Sequence, residues 1–544
     1  MGFYEKNTLF YCLMLWVDVS LAQIAPDKYW VQFSDKNNTP YSIDYPESYL
    51  SQRALQRRAN QKIGIDGYDL PVTPDYLRRL AQTGAKILNV SKWLNGAVVS
   101  IDSEQVLHAV DELPFVVSTS LCCAIVRKHY DENSSFRGGR SGLGFIPSFY
   151  GDAFNHIYTI NGKPLHDAGY MGEGMVIAVM DGGFTGADTI GIFKTLRSEG
   201  RLLGTRNFVD KSASVFGDSQ HGTACLGLMA GYLPNEYVGT APQASYYLFT
   251  TEDVYSENII EEYNWVCAAE LADSLGVDVC STSLGYVGFD NEEWTHSYAD
   301  LNGSTTPISR GAAIACSRGM LCVNSAGNSG QNPFPYIGAP ADVEAVLTIG
   351  AVNGNGVLAP FSSVGPTSDN RIKPDVMAMG WGDVVVAYNG TYYSGSGTSY
   401  SCPIMAGMVA CLWQARPYAT PQEINNALRQ TASRHETPDN MNGYGLPDFE
   451  KAMDVLPESK DVETDNLVFI YPNPSSGDIH VQLNDAVRVN IMVSDILGQR
   501  LFTYEFNGLN NKTLENRLNV LGAGVYFVTA YTDNHLQTVK IVLN

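Results

Sequence analysis

Residues 395–413, GSGTSYSCPIMAGMVACLW, start with hydroxyl-bearing side chains and continue as an apolar run typical of a buried helix. Four potential nucleophiles stand at the start of this run: Ser396, Ser399, Ser401 and Cys402. A helix that only fills a core gains nothing from hydroxyls at its N-terminus. A nucleophile there gains from free amides and from the positive end of the helix dipole. The segment therefore predicts a buried helix with a reactive group in its first turn.

The region around this segment, residues 149–456, alternates between strand-like and helical runs. The runs are VIAVMD (176–181), a helix from about His221, a helix over 257–275, VDVCSTS (277–283), MLCVNSA (320–326), AVLTIGAV (345–352) and a helix opened by a capping box of Thr420 and Glu423. Alternating strands and helices form parallel sheets with helices on both faces. The fold predicted for this region is therefore α/β.

The helix predicted over 257–275 has a clear apolar repeat. The residues that recur every fourth position are Ile259, Tyr263, Cys267, Leu271 and Leu275. Such a repeat predicts one buried face, with Glu261, Glu262 and Asp273 on the solvent side.

The chain on either side of this region has different sequence patterns. Residues 1–22 read as an export signal, with Lys6 near the start, an apolar stretch over 9–17 and small residues before the cleavage point. Residues 28–120 predict a small α+β unit, including one helix over 46–62. Polar and apolar residues alternate after 466, which predicts an antiparallel β-sandwich. The predicted divisions are 1–22 (signal peptide), 23–125 (N-terminal unit), 126–148 (linker), 149–456 (α/β region), 457–466 (second linker) and 467–544 (sandwich).

Composition limits the classes of partner. The 544 residues include 35 basic and 57 acidic side chains, for a net charge of −22. Nucleic acid is therefore excluded as a partner, because phosphate binding needs a basic surface. No stretch after the signal is long and apolar enough to predict a transmembrane helix. The ten cysteines include no Cys-x-x-Cys pair, and those in apolar runs are expected to be free thiols that pack as small hydrophobes.

Three titratable groups stand where an α/β active site forms, outside the carboxyl ends of strands. Asp181 ends a predicted strand, and His221 and Ser399 each begin a helix. Singly, each has an ordinary structural explanation: a turn, a structural histidine and a helix cap. Together they supply what acyl transfer needs: a nucleophile, an imidazole base and a carboxylate that orients the imidazole. Their order, Asp-His-Ser, is one of the three known for this triad.

Five motifs in this order resemble the signatures of the subtilisin-like serine proteases, the subtilases of peptidase family S8. The motifs are VIAVMDGG (176–183), HGTACLG (221–227), STSLGY (281–286), NSAGNSG (324–330) and SGSGTSYSCPIMAG (394–407). The resemblance implies that Asp181 orients the imidazole, His221 acts as general base and Ser399 attacks the scissile carbonyl.

The same resemblance implies six further site residues. Asn328 would donate to the oxyanion. Ser283, Leu284 and Gly285 would pair with the extended substrate by β-augmentation, and Ala326 and Gly327 would line the primary pocket. Cys402 departs from the family, which usually has alanine there, and we expect its thiol to pack beneath the site.

The flanking regions also resemble parts of exported proteases. Residues 23–125 are similar to the propeptides of Bacteroidetes subtilases, which act as folding chaperone and inhibitor. The final region is similar to the sorting domain of the type nine secretion system, although its last residues, 540–544, match only loosely. The expected location is therefore the cell surface or the medium, after export across both membranes. The expected partners are protein or peptide substrates, the chain's own propeptide and the secretion machinery.

No cofactor is required by this interpretation, and no metal ligand is assigned. The loop DLNGST (300–305) has oxygen donors suited to a structural calcium ion, but an exposed turn is the commoner explanation of such a sequence. Two other functions stay open. One is a catalytically inactive binding or adhesion protein on a subtilase scaffold. The other is an esterase of the α/β-hydrolase type, although no G-x-S-x-G motif followed by a histidine supports it.

Overall fold

The computed structural model describes residues 27–123, 148–458, 468–471, 480–483, 488–507, 521–531 and 536–543. The predicted signal peptide lies outside these residues, as do the linker 126–148 except for its last residue and most of the linker 457–466. The chain divides into two compact units, Met1–Leu456 and Pro457–Asn544. Within the described ranges, no helix has both the length and the apolar character needed to cross a bilayer.

Four antiparallel strands and three helices form the N-terminal module, residues 27–123. The strands are β1 (Asp27–Phe33), β2 (Lys86–Ser91), β3 (Gly96–Ile101) and β4 (Val116–Cys123), in the order β2-β3-β1-β4, and the helices are α1 (Gln52–Asn60), α2 (Pro74–Gln82) and α3 (Glu104–Asp111). The prediction of one helix over 46–62 is wrong in its first part. Pro46–Ser48 forms a separate 3-10 turn, and Ser51 caps α1 by accepting a hydrogen bond from the Ala54 N–H, so the helix begins only at Gln52.

An eight-stranded sheet forms the centre of the next module, residues 148–456, which we call the central module. Its strands are β5 (Val176–Asp181), β6 (Leu202–Asn207), β9 (Ser245–Thr250), β10 (Val279–Thr282), β11 (Leu321–Ser325), β12 (Leu347–Asn353), β13 (Val376–Val386) and β14 (Tyr392–Ser396), in the order β14-β13-β12-β11-β10-β5-β9-β6. A separate ribbon consists of β7 (Tyr232–Leu233) and β8 (Tyr237–Val238). The α-helices are α4 (Phe154–Tyr158), α5 (Lys163–Asp167), α6 (Lys194–Ser198), α7 (His221–Ala230), α8 (Ile260–Leu275), α9 (Pro307–Ser317), α10 (Thr398–Ala415), α11 (Pro421–Thr431) and α12 (Phe449–Val455).

The sheet confirms the predicted α/β class with one correction at its edge. Every neighbouring pair in the sheet is parallel except β13 and β14, which are antiparallel. The sequence does not predict β14, because its residues YYSGS lack the apolar character of the buried strands. The hairpin returns the chain directly to the start of α10, since β14 ends at Ser396 and α10 begins at Thr398.

Helix α10 is the apolar segment over 395–413, and it lies at the centre of the core. It packs against β10, β11, β12 and β13 on the sheet and against α7 beside it. Nearly every residue of α10 is buried. A helix that is apolar on all sides needs such an all-round covering, which explains why its sequence shows no polar face.

The surroundings of α8 contradict the predicted exposure of its acidic residues. Three acids that were expected in solvent are buried: Glu261, Glu262 and Asp273. The helix lies between the main sheet and the N-terminal module, so both of its faces are covered. Trp30 of the N-terminal module stacks on Tyr263, with ring centroids 4.4 Å apart. Asp273 is buried because Arg57 and Arg58 of the same module pair with it.

The described strands of the C-terminal unit are all antiparallel. They are β15 (Val468–Tyr471), β16 (His480–Leu483), β17 (Arg488–Asp495), β18 (Arg500–Asn507), β19 (Gly524–Tyr531) and β20 (Leu536–Leu543). β15 pairs with β16, and the other four form a sheet in the order β18-β17-β19-β20. In β17, Ile491 and Val493 are buried while Asn490 and Met492 are half-buried, as the alternating sequence predicts.

Candidate active site

An aspartate–histidine pair lies at the carboxyl end of β5. Asp181 is the last residue of this strand and is fully buried, and His221 is the first residue of α7. The Nδ1 atom of His221 lies 2.9 and 3.0 Å from the two carboxylate oxygens of Asp181. The N–H of Gly182 donates to Asp181 at 2.8 Å, which fixes the carboxylate. A carboxylate only accepts hydrogen bonds, so the proton is on Nδ1 and Nε2 faces away from Asp181.

Opposing effects act on the pKa of His221. Burial lowers it, whereas the Asp181 carboxylate raises it, with a further contribution from the Cys225 thiol. The raising effects prevail, and the pKa of His221 lies well above its ordinary value. Its side chain is still 33% exposed. The imidazole is therefore a strengthened base that remains accessible to a substrate.

Ser399 is the second residue of α10, where main-chain N–H groups have no acceptor within the helix. Its Oγ donates to the main-chain oxygen of Ser283 at 3.2 Å, and its own carbonyl oxygen accepts from Ser283 Oγ at 2.8 Å. The same carbonyl lies 3.4 Å from Cys225 Sγ, which is 4.0 Å from Nδ1 of His221. Ser399 and His221 thus meet at one end of the sheet. Within the described chain, the hydrogen bonds of Ser399 do not include His221.

The other three nucleophile candidates are occupied or enclosed. Ser396 is exposed at the end of β14, where its Oγ accepts from the Gly382 N–H at 3.1 Å. Ser401 is buried and its Oγ donates to the Thr398 carbonyl at 2.9 Å. Cys402 is buried, which raises the pKa of its thiol to about 12. A neutral, enclosed thiol is a poor nucleophile, so Cys402 packs beneath the site as expected.

Asn328 presents its amide nitrogen to the cleft. Its Oδ1 accepts from both the N–H and the Oγ1 of Thr398, at 2.9 and 3.0 Å. Because the Thr398 N–H can only donate, the amide oxygen must face it and Nδ2 must point the other way. The residue is exposed, and among the described residues no hydrogen bond engages Nδ2. A donor is thereby directed to the space in front of α10.

The predicted substrate edge follows β10 directly. Ser283 and Leu284 are buried, whereas Gly285 is exposed. A Cβ atom at Gly285 would meet only the Ala339 carbonyl, at 3.9 Å. The segment thus leaves the sheet beside Ser399 with an open main chain at Gly285.

The predicted pocket wall follows β11. Gly327 has a φ of +102°, and a Cβ atom there would lie 2.9 Å from Ser363 Oγ, so the turn requires glycine. Its N–H donates to Thr398 Oγ1 at 3.0 Å, which ties the wall to the first turn of α10. Ala326 is 1% exposed as a whole residue, so it lies behind the surface of the cleft.

Cys225 is a site residue that the sequence analysis missed. Its thiol contacts both His221 and the Ser399 carbonyl, and it lies four residues after His221 in α7. Residues four apart share one helix face, so the spacing in HGTAC was the available signal. The nine cysteines of the described chain are free, and eight of them are buried.

Two side-chain oxygens of the loop over 300–305 accept hydrogen bonds from neighbouring residues. Asp300 accepts from the N–H and Oγ of Ser297, at 2.8 and 2.7 Å. Asn302 Oδ1 accepts from the N–H groups of Ser304 and Thr305, at 2.9 and 3.1 Å. These contacts are those of an ordinary turn.

Three family models match separate parts of the chain. The subtilase family matches residues 172–445, the peptidase S8 propeptide domain of Bacteroidota matches 28–135, and a secretion system C-terminal sorting domain matches 469–544.

Curated relatives are similar over half of the chain or more. Serine protease AprX of Bacillus subtilis is 29% identical over 315 residues, which are 52% of this chain and 66% of AprX. Subtilisin NAT of Bacillus subtilis subsp. natto is 29% identical over 395 residues, 71% of this chain and 89% of that protein. Among solved structures, MycP1 from Mycobacterium smegmatis aligns with 56% of this chain and 86% of its own, at 21% identity and a TM-score of 0.45.

Proposed function

The chain belongs to the subtilase family, and from that premise we propose that it is an exported endopeptidase in which Asp181, His221 and Ser399 form the catalytic triad. Family membership confirms the resemblance of the sequence motifs and makes the protein a serine protease. One observation carries the triad proposal: Nδ1 of His221 is held by both oxygens of Asp181 beside the helical turn that contains Ser399. This arrangement leaves Nε2 to receive a proton.

In the proposed reaction, Ser399 Oγ leaves the Ser283 carbonyl and transfers its proton to Nε2 of His221 as it attacks the scissile carbonyl carbon. Asp181 stabilises the imidazolium that forms. The oxyanion accepts hydrogen bonds from the Ser399 N–H and from Nδ2 of Asn328. His221 then gives the proton to the leaving amine. A water molecule, deprotonated by His221, then attacks the acyl carbon. The ester bond to Ser399 Oγ breaks, the acid product leaves, and His221 returns its proton to Oγ.

The substrate is proposed to bind as an extended strand along Ser283–Gly285. The exposed main chain of Gly285 supports this position, because added strands are held by main-chain hydrogen bonds. The glycine at 327 and the buried Ala326 leave a pocket wall without charge, which favours apolar side chains of the substrate.

The flanking parts are proposed to control where and when the protease acts. The propeptide match covers the N-terminal module, which packs on α8 and is expected to inhibit the zymogen. Its removal is expected after cleavage within 124–148. The sorting-domain match indicates export to the cell surface or the medium through type nine secretion.

Labelling of the nucleophile tests the triad. The secreted protein is treated with a fluorophosphonate, which reacts covalently with activated serines, and the modified residue is located by mass spectrometry. We expect the label on Ser399, loss of labelling in His221→Ala, and loss of casein hydrolysis in Ser399→Ala. Ser401→Ala is the matched control and should keep the label. A label on another residue would contradict the assignment, and a folded protein without label or activity would favour the inactive scaffold.

A further inference from the structure

Two cysteines lie on either side of the turn that joins α9 to β11. Cys316 is the last residue but one of α9, and Cys322 is the second residue of β11. Both are free thiols in this structure, and both pack in the same apolar cluster on one face of the sheet. The chain reverses between them at Gly319, whose φ is +86°. Residues six positions apart therefore return to the same place.

The two thiols interact directly. The sulfur of Cys316 forms hydrogen bonds with the thiol and the main-chain N–H of Cys322. The bond from the Cys322 thiol lowers the pKa of Cys316, although burial acts in the opposite direction. The pKa of Cys322 lies well above its ordinary value, because its thiol forms hydrogen bonds with Cys280 and Cys316 and is buried. Cys316 is therefore the thiol that ionises first, and Cys322 keeps its proton.

The accessibility of the two residues differs in the same sense. Cys316 is half-buried, whereas Cys322 is 3% exposed. Thiol–disulfide exchange needs an accessible thiolate that attacks and a second thiol beside it that resolves the mixed disulfide. Cys316 has the properties of the first thiol, and Cys322 has the position of the second.

We propose that Cys316 and Cys322 are joined by a disulfide bond in the exported protein. The proposal rests on the export proposed above, because disulfides form and persist outside the cytoplasm. The oxidant is itself a disulfide, of a small thiol such as glutathione or of a thiol–disulfide oxidoreductase.

The bond forms in two exchange steps. The Cys316 thiolate attacks one sulfur of the oxidant, whose other sulfur leaves as a thiolate. The Cys322 thiol then loses its proton and attacks the Cys316 sulfur, and the second thiolate leaves. The two cysteines give up two electrons and two protons, and the oxidant is reduced to two thiols.

Cys280 is the other sulfur neighbour of Cys322, but it is less suited to pairing. The two are register partners on the parallel strands β10 and β11. Cys280 is 0% exposed, and its thiol lies 3.9 Å from the sulfur of Met320. An oxidant from solvent meets Cys316 first, so the bond is assigned to Cys316 and Cys322.

The disulfide closes a turn that contacts the N-terminal module. The Gly319 carbonyl accepts a hydrogen bond from Gln61 Nε2 at 2.9 Å, and Arg318 forms an ion pair with Asp66 at 2.9 Å. Both contacts are lost when the module is removed under the proposed activation. The disulfide then holds the turn and the start of β11, the strand that leads to Asn328.

The experiment uses the full-length chain with Ser399→Ala, so that self-digestion does not change the sample. One sample is recovered from the culture medium, and a second is reduced and then incubated with defined ratios of oxidised to reduced glutathione. Free thiols are blocked with N-ethylmaleimide, and a tryptic digest is analysed by mass spectrometry without reduction.

The digest identifies the bond because Arg318 lies between the two cysteines. Trypsin releases peptide 311–318, whose one cysteine is Cys316, and peptide 319–371, whose one cysteine is Cys322. We expect these two peptides to be joined in both samples. Closing a loop of seven residues should raise the Tm of the oxidised form above that of the reduced form by roughly 2–3 °C.

Two variants locate the effect. Cys316→Ala should abolish the Tm difference between the oxidised and reduced forms. Cys280→Ala is the matched control, and it should keep both the joined peptides and the Tm difference.

Four results would overturn the proposal. They are the absence of the joined peptides at every glutathione ratio, free thiols at both positions in the protein from the medium, a bond from 319–371 to the peptide 212–310 that carries Cys280, and an undiminished Tm difference in Cys316→Ala. If no protein reaches the medium, the proposed export fails, and the glutathione sample still decides whether the two cysteines pair. None of these results bears on the triad, which the labelling experiment tests separately.

Discussion

Replacing Arg58 with methionine tests whether a buried ion cluster holds the N-terminal module on α8. The Nη2 atom of Arg58 lies 2.8 and 2.9 Å from the two carboxylate oxygens of Asp273 and 2.9 Å from Asp69 Oδ1. Arg58 is 1% exposed, and both carboxylates are 0% exposed. Methionine keeps the apolar stem of the side chain but removes the cation that both carboxylates share.

The expected loss follows from these contacts. Removing one partner of a buried ion pair typically costs 3–5 kcal/mol, because the other charge stays buried. Part of that cost is offset here, since Arg57 also pairs with Asp273 and Arg318 lies 3.2 Å from Asp69. We therefore expect the lower end, about 3 kcal/mol, or roughly 150-fold in the unfolding equilibrium.

The assay is urea unfolding of the full-length chain with Ser399→Ala, followed by tryptophan fluorescence. The matched control is Arg78→Met in the same module, because the ion pair of Arg78 with Asp75 is exposed and contributes little. Arg58→Met should lower the free energy of unfolding by several times the control value. Equal effects of the two variants would refute the claim that this cluster stabilises the docked module.

Three further predictions concern the active site. Asn328→Ala should lower kcat by about a hundred- to a thousandfold with little change in KM, as known for the corresponding change in subtilisin; a loss seen only in KM would contradict the oxyanion role. Cys402→Ala should keep most of the casein hydrolysis, since its thiol is buried and neutral; loss of activity in a folded variant would assign it a chemical role. Asp181 raises the pKa of His221, and His221 must be neutral to act as the base. As the pH is lowered, kcat/KM should therefore begin to fall at a higher pH than an isolated histidine would give, and Asp181→Asn should move the midpoint of this fall to lower pH. An unchanged midpoint in Asp181→Asn would show that the Asp181–His221 pair does not cause it.

Sequence reasoning predicted the parts of the fold that depend on local pattern. The strand that ends at Asp181 and the helices that begin at His221 and Thr398 are marked by apolar runs and by the polar residues at their ends. In the structure, β5 ends with Asp181 at the carboxyl edge of the parallel strands, and the antiparallel hairpin of β13 and β14 returns the chain to the start of α10. The edge strand Tyr392–Ser396 was missed, since it owes its conformation to pairing with β13 and not to its own composition.

The side-chain detail of the site was beyond prediction from sequence. The Cys225 thiol contacts the Ser399 carbonyl only because α7 and α10 pack side by side, a tertiary contact between residues 174 positions apart. The contact between Cys225 and His221 has a four-residue spacing in the sequence, whereas the contact between Cys225 and Ser399 has no short-range sequence pattern.

The apolar repeat on α8 was identified correctly, but the burial of the acidic residues on the rest of the helix was predicted wrongly from it. The repeat that predicts a core face instead contacts the N-terminal module, where Tyr263 stacks on Trp30 and Cys267 Sγ lies 3.4 Å from the Val90 carbonyl. Under the proposed activation, loss of this module would uncover Tyr263 and leave Asp273 without Arg57 and Arg58. Asp273 would then be solvated, and docking the module again would require its desolvation. Arg58 therefore determines how tightly the N-terminal module is held on α8, because its positive charge offsets the free-energy cost of desolvating Asp273.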